Sequence, residues 1–97
     1  MHESVVSLLQ REVKYNRQLK DILAKLQIPH ILFYSGAGRS IKCQTNAADV
    51  FITLQPLPNK QVRIHLSMSK SAPVTYEVDD RVLQPKLYKI LLALEKT

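Results

Sequence analysis

Cysteine, tryptophan and glycine are almost missing from this chain of 97 residues, which has one Cys, no Trp and two Gly. A lone cysteine, Cys43, excludes an intramolecular disulfide framework and a cysteine-based zinc cluster, and it points to a reducing intracellular compartment, cytoplasmic or nuclear. So few glycines, with no low-complexity tract, argue against a disordered chain or a solenoid. No apolar stretch approaches the roughly 20 residues of a membrane span, and Met1-His2-Glu3-Ser4 lacks the basic start of a secretory signal. No membrane span is expected. Acids are scarce in the middle of the chain, where Arg39, Lys42, Lys60, Arg63 and Lys70 face only Asp49, within a net charge of +6. Such a field favours acidic partners, nucleic acid included, without dictating a fold.

What is present is a hydrophobic period that switches twice. It is helical from Val5 to Leu26, alternates every second residue across Val50–Leu54, Val62–Met68 and Val74–Val78, and is helical again from Leu83 to Leu94. In the first segment Val5, Leu8, Leu19, Ile22 and Leu26 follow a heptad-like stripe interrupted by Glu12 and Tyr15, and Val6, Leu9, Val13 and Leu23 widen it. Asp21 and Lys25 have the spacing of a helical ion pair. At 1.5 Å per residue this helix reaches roughly 35 Å, longer than a small sheet is wide, so part of it is expected to overhang. A partner helix is the expected cover, with Asn16 beside the seam as a candidate register-setting amide. Pro29 is expected to end the helix.

The strands follow. His30–Tyr34 and Ser40–Gln44 flank Ser35-Gly36-Ala37-Gly38-Arg39, a hairpin loop. A third strand is expected over Asp49–Gln55, a fourth over Gln61–Met68 and a fifth over Val74–Val78, with Pro56-Leu57-Pro58-Asn59-Lys60 as a turn. The fourth is the clearest: Val62, Ile64, Leu66 and Met68 alternate with Arg63, His65 and Ser67. Pro85 suits the first turn of a terminal helix, whose stripe is Leu83, Leu87, Ile90, Leu91 and Leu94.

Little here points to catalysis. Gly36 and Gly38 lack the spacing and the following helix of a P-loop or dinucleotide fingerprint, so a plain hairpin outweighs an anion loop. His2, His30 and His65 are dispersed and have no metal-ligand spacing; neither a metal nor a cofactor is expected. Cys43 shares a strand face with Ile41 and reads as a buried apolar side chain. The wet face should carry Lys42, Gln44, Thr53, Arg63 and His65. Phe51 either joins them or packs under a helix on that face.

The helix–strands–helix order resembles a double-stranded RNA-binding domain. It departs from that family in Pro85-Lys86-Leu87-Tyr88-Lys89, with two lysines where the family carries a cluster, and in Asp79-Asp80, which repels phosphate. The layout also resembles RWD-like modules at the ends of kinetochore coiled coils, and that resemblance implies a scaffold role.

The expected fold is therefore one α+β domain over 1–97: a long N-terminal helix (1–28), then an antiparallel sheet of about five strands with a C-terminal helix packed on one face (29–97). The expected function is a non-catalytic protein-interaction and dimerisation module of a scaffold or adaptor. It would join a homo- or heterodimer through Val5, Leu8, Tyr15, Leu19, Ile22 and Leu26, so that Leu19→Asp dissociates it. The alternative is a nucleic-acid-binding domain contacting RNA or DNA through Arg39, Lys42, Lys60, Arg63, His65 and Lys70.

Overall fold

The computed structural model describes residues 3–35 and 38–97. Helix α1 (Val5–Lys25) is followed by β1 (His30–Ser35), β2 (Gly38–Gln44), β3 (Asp49–Leu57), β4 (Gln61–Met68) and β5 (Val74–Asp79). A single 3-10 turn (Asp80–Val82) then leads into α2 (Leu83–Glu95). The strands form one antiparallel meander in the order β1-β2-β3-β4-β5, so the expected α+β architecture is present.

Local chemistry accounts for the element ends. α1 opens on Ser4, whose hydroxyl accepts the Ser7 N–H at 3.1 Å and satisfies one of the helix's unpaired donors. Its last residue, Lys25, is four positions before Pro29. Gln27 adopts φ +56°, its N–H donates to the Ala24 carbonyl, and the Ile28 N–H donates to the Leu23 carbonyl at 2.9 Å. This is a Schellman closure with glutamine in the left-handed position that usually takes glycine. Its hydrophobic contact is also in place, since Leu23 and Ile28 are both buried. The stop signal is thus the Leu23–Ile28 pairing, and Pro29 follows a helix that has already ended. β3 runs two residues further than expected, through Pro56 and Leu57, which pair with Val62 and Gln61. Its ladder to β2 reaches only Ile52, so a proline there interrupts no central strand. The turn shrinks to Pro58-Asn59-Lys60, with Asn59 and Lys60 both at positive φ, as a type I′ hairpin requires.

Strand register sorts the two faces. Leu32, Ile41, Ile52, Leu66 and Val74 are paired across all five strands in one row on the helix-covered face. Of these, Ile41, Ile52 and Leu66, with Val50, Val62, Ile64 and Cys43, meet Leu83, Leu87 and Leu91 of α2 and Tyr15, Leu19, Ile22 and Leu23 of α1 in one core, Val74 packs against it, and Leu32 stays exposed. This overturns the expected dimer seam. Tyr15, Leu19 and Ile22 are buried within the single chain, Leu26 packs against the same core, and Leu8 is half-covered; only Val5 stays exposed. The reason is area. A five-stranded apolar face needs more cover than a helix of 13 residues supplies, so α1 lends its main stripe to the sheet.

Nor does the N-terminal half of α1 project unsupported. Arg11 Nη2 donates to the carbonyls of Leu57 and Gln61, each at 2.9 Å, at the end of the β3–β4 hairpin. Its Nε donates to the Tyr15 hydroxyl at 2.9 Å, and that hydroxyl donates to Asp80 Oδ2 at 3.1 Å. Asn46, in the β2–β3 turn, secures the far end of α2. Its amide Nδ2 donates to the Glu95 carbonyl at 2.6 Å, and the Ala47 N–H donates to the Leu94 carbonyl at 3.1 Å. Last-turn carbonyls that lack helical partners are satisfied this way.

Three stability outcomes follow. Leu19→Ala should cost about 2–5 kcal/mol by opening a core cavity, and Leu19→Asp should prevent folding altogether, both read by urea denaturation. Gln27→Gly should raise the urea midpoint, by about 1 kcal/mol of stability, because it relieves a left-handed non-glycine residue.

Candidate interaction surface

Edge strands offer an open row of backbone donors and acceptors, and proteins usually blunt them with charge. β5 follows that practice: Glu77 and Asp79 lie along it. β1 does not. Its six residues include no Lys, Arg, Asp or Glu, and Ile31, Leu32, Phe33 and Tyr34 are all exposed, Ile31 at 60% and Tyr34 at 66%. Four consecutive exposed apolar side chains place apolar surface on both faces of the edge, because successive residues alternate sides.

α1 extends this surface. Val6, Leu9 and Val13, spaced i, i+3 and i+7, form a second stripe turned away from the core, with Val6 64% and Leu9 55% exposed. A shallow groove joins that stripe to the strand, since Val13, Asn16 and Arg17 of α1 line it together with Leu32 of β1 and Arg39 of β2. Two polar atoms here lack hydrogen-bond partners among the described residues: Asn16 Oδ1 and Arg39 Nε, the latter 3.9 Å from Glu12 Oε1. Asn16 is buried and its Nδ2 donates to the Glu12 carbonyl at 2.9 Å. An unpaired buried oxygen costs about 1–3 kcal/mol, a cost that stable monomers seldom carry without a use.

The six predicted basic contacts do not form one patch. Register puts Lys42, Arg63 and His65 on the open face of the sheet and Arg39 on the other, over the Tyr34 ring at 5.7 Å. Lys60 and Lys70 occupy turns at opposite ends of β4, whose eight residues span about 27 Å at 3.4 Å each. The basic residues of the open face also have partners. Arg63 Nε and Nη2 donate to Glu77 Oε2 at 3.1 and 3.0 Å, Lys42 Nζ lies 4.0 Å from Asp49, and His65 Nδ1 is 3.1 Å from the Thr75 hydroxyl. Phe51 does lie on this face. It meets Phe33 edge to face, with ring centroids 5.3 Å apart, and Lys42 Nζ is 5.8 Å from its centroid. No helix covers that side among the described residues.

Hairpin succession places β1 at the edge, and its lack of charge was visible in His30–Ser35. The second α1 stripe was hidden because Val6, Leu9 and Val13 lie next to the core stripe in any helical projection. The candidate anion loop includes Gly36 and Ala37, which lie outside the described residues, and Gly38 opens a strand rather than a helix. His2 is also outside them. His30 and His65 belong to opposite faces, and no cluster of His, Cys, Asp or Glu suited to a metal occurs among the described residues. No helix among them is long and apolar enough to cross a membrane. No protein-family model, curated protein or solved structure matches the chain.

Cys43 is sealed in the core, and burial pushes its thiol up to about 12. The folded protein should therefore resist alkylation at pH 8 and react once unfolded in urea, which a thiol titration reads. Because the unfolded thiol ionises first, this group contributes stability below its unfolded value near 8.5, and that contribution falls as pH rises toward about 12.

Proposed function

We propose that this chain is a non-catalytic protein-interaction and dimerisation module that joins a second chain through the outer edge of β1 and the adjoining Val6-Leu9-Val13 stripe. The observation that supports it is the run of exposed apolar residues on an uncharged edge strand, continuous with that stripe. Antiparallel pairing of β1 with its counterpart would extend the sheet across a two-fold axis and bring the two stripes together.

Magnitudes favour a joint strand-and-helix contact over a helix seam alone. Half-exposed apolar side chains contribute roughly 1 kcal/mol each when covered. Association costs about 4–15 kcal/mol, and Val6, Leu9 and Val13 from both copies contribute roughly 6, near the low end of that cost, so a stable dimer also needs the strand ladder and its side chains.

A second reading rests on Phe33, Phe51 and Lys42, which give the open face two rings and a cation of the kind that stacks bases. The pairing of Arg63 with Glu77 and of Lys42 with Asp49 leaves that face little net positive charge, and the protein interface is the better supported.

Sedimentation across a concentration and salt series, with and without a labelled single-stranded oligonucleotide, separates the two. The protein alone should have the mass of a dimer that is nearly insensitive to salt. Leu9→Glu and Ile31→Lys should each give folded monomers, with unchanged circular dichroism and the thermal midpoint of the wild type diluted below its dissociation constant. A wild type that stays monomeric up to millimolar concentration sinks the homodimer, and salt-sensitive comigration with oligonucleotide, lost in Phe51→Ala, would favour the nucleic-acid reading.

A further inference from the structure

On the opposite edge of the sheet from β1, the C-terminal half of α1, the start of α2 and β5 enclose a groove of about 760 Å³. Its walls are apolar: Ile22 from α1, Val78 from β5, and Val82, Pro85 and Tyr88 leading into and along α2. Val82 is 48% exposed and Tyr88 is also open to solvent, so these walls are not sealed by the fold. Around them stand Lys25, Lys86 and Lys89, with Asp21 as the lone acid. Asp21 and Lys25 were expected to pair along the helix, yet no salt bridge joins them among the described residues. Lys86 is held in place, its Nζ 4.3 Å from the centroid of the Tyr76 ring.

We propose that this groove docks an acidic segment of a partner protein, which inserts apolar side chains between Val82 and Tyr88 while its carboxylates meet Lys25, Lys86 and Lys89. Charge decides the occupant. Three lysines over an apolar floor select a ligand that is apolar at its anchors and negative around them. A second copy of the chain is a poor match, because its own exposed apolar surface is bordered by Arg17, Lys20 and Arg39, with Glu12 already beside Arg39, and keeps a net positive charge that the three lysines repel. The groove lies away from β1, so a dimer joined there would present two such sites, and occupancy of one surface leaves the other open.

Selection of random peptides of about 12 residues on phage, against the full chain, tests this. Enriched peptides should combine Leu, Phe or Trp with two or more Asp or Glu. A synthetic peptide of the enriched sequence, followed by fluorescence anisotropy, should lose at least tenfold in affinity with Val82→Glu and with the Lys86→Glu/Lys89→Glu pair, at unchanged thermal midpoints. Leu9→Glu, which addresses the β1 edge, should leave peptide binding intact, so failure of the dimer and failure of this site are separate results. Recovery of no binders, of peptides without an acidic excess, or of binding indifferent to Val82→Glu overturns the proposal. A fall in solution mass caused by Val82→Glu also overturns it, since a second copy would then be the occupant.

Discussion

Everything in this molecule depends on covering one apolar sheet face. The three central strands, β2, β3 and β4, present Ile41, Cys43, Val50, Ile52, Leu54, Val62, Ile64 and Leu66 on the same side, and none of these is more than 3% exposed. Removing that surface from water is the main driving force. Both helices are committed to it, and no helix covers the other face among the described residues. The sheet's other face and its two edges are what the helices leave uncovered.

Polar contacts tie distant segments together. Arg11 holds the helix to the β3–β4 hairpin through two backbone carbonyls, and Asn46 holds the β2–β3 turn against the end of α2. Each joins residues distant in sequence and satisfies carbonyls that a chain of this size has few other ways to pair. Burial raises the Tyr15 hydroxyl above its ordinary value, with Arg11 opposing the rise and Asp80 adding to it, so it stays protonated and donates from α1 to Asp80 in the 3-10 turn.

Element types and most boundaries were legible because each follows a local period. β4 alternates without a fault, and α2 begins at Leu83 as its stripe implies. The misreadings arose where a distant neighbour decides the outcome. Pro56 reads as a turn until β2's early end shows that no central ladder is broken, and Pro29 reads as the helix stop although Gln27 had already turned the chain. The candidate site suffered most. Tyr15, Leu19 and Ile22 are apolar at helical spacing whether they face a partner or their own sheet.

From residue order alone, period and turn chemistry specify helix, meander and helix, along with the alternation that puts Arg63 and His65 opposite Val62 and Ile64. They are properties of near neighbours, and a one-residue slip would turn every side chain over. Which of α1's two apolar stripes goes inward was settled by packing, because that choice depends on how much sheet area α2 leaves bare. The same packing left the uncharged β1 uncovered at one edge and ringed the groove at the other with lysines from two helices, arrangements that exist only once distant segments meet.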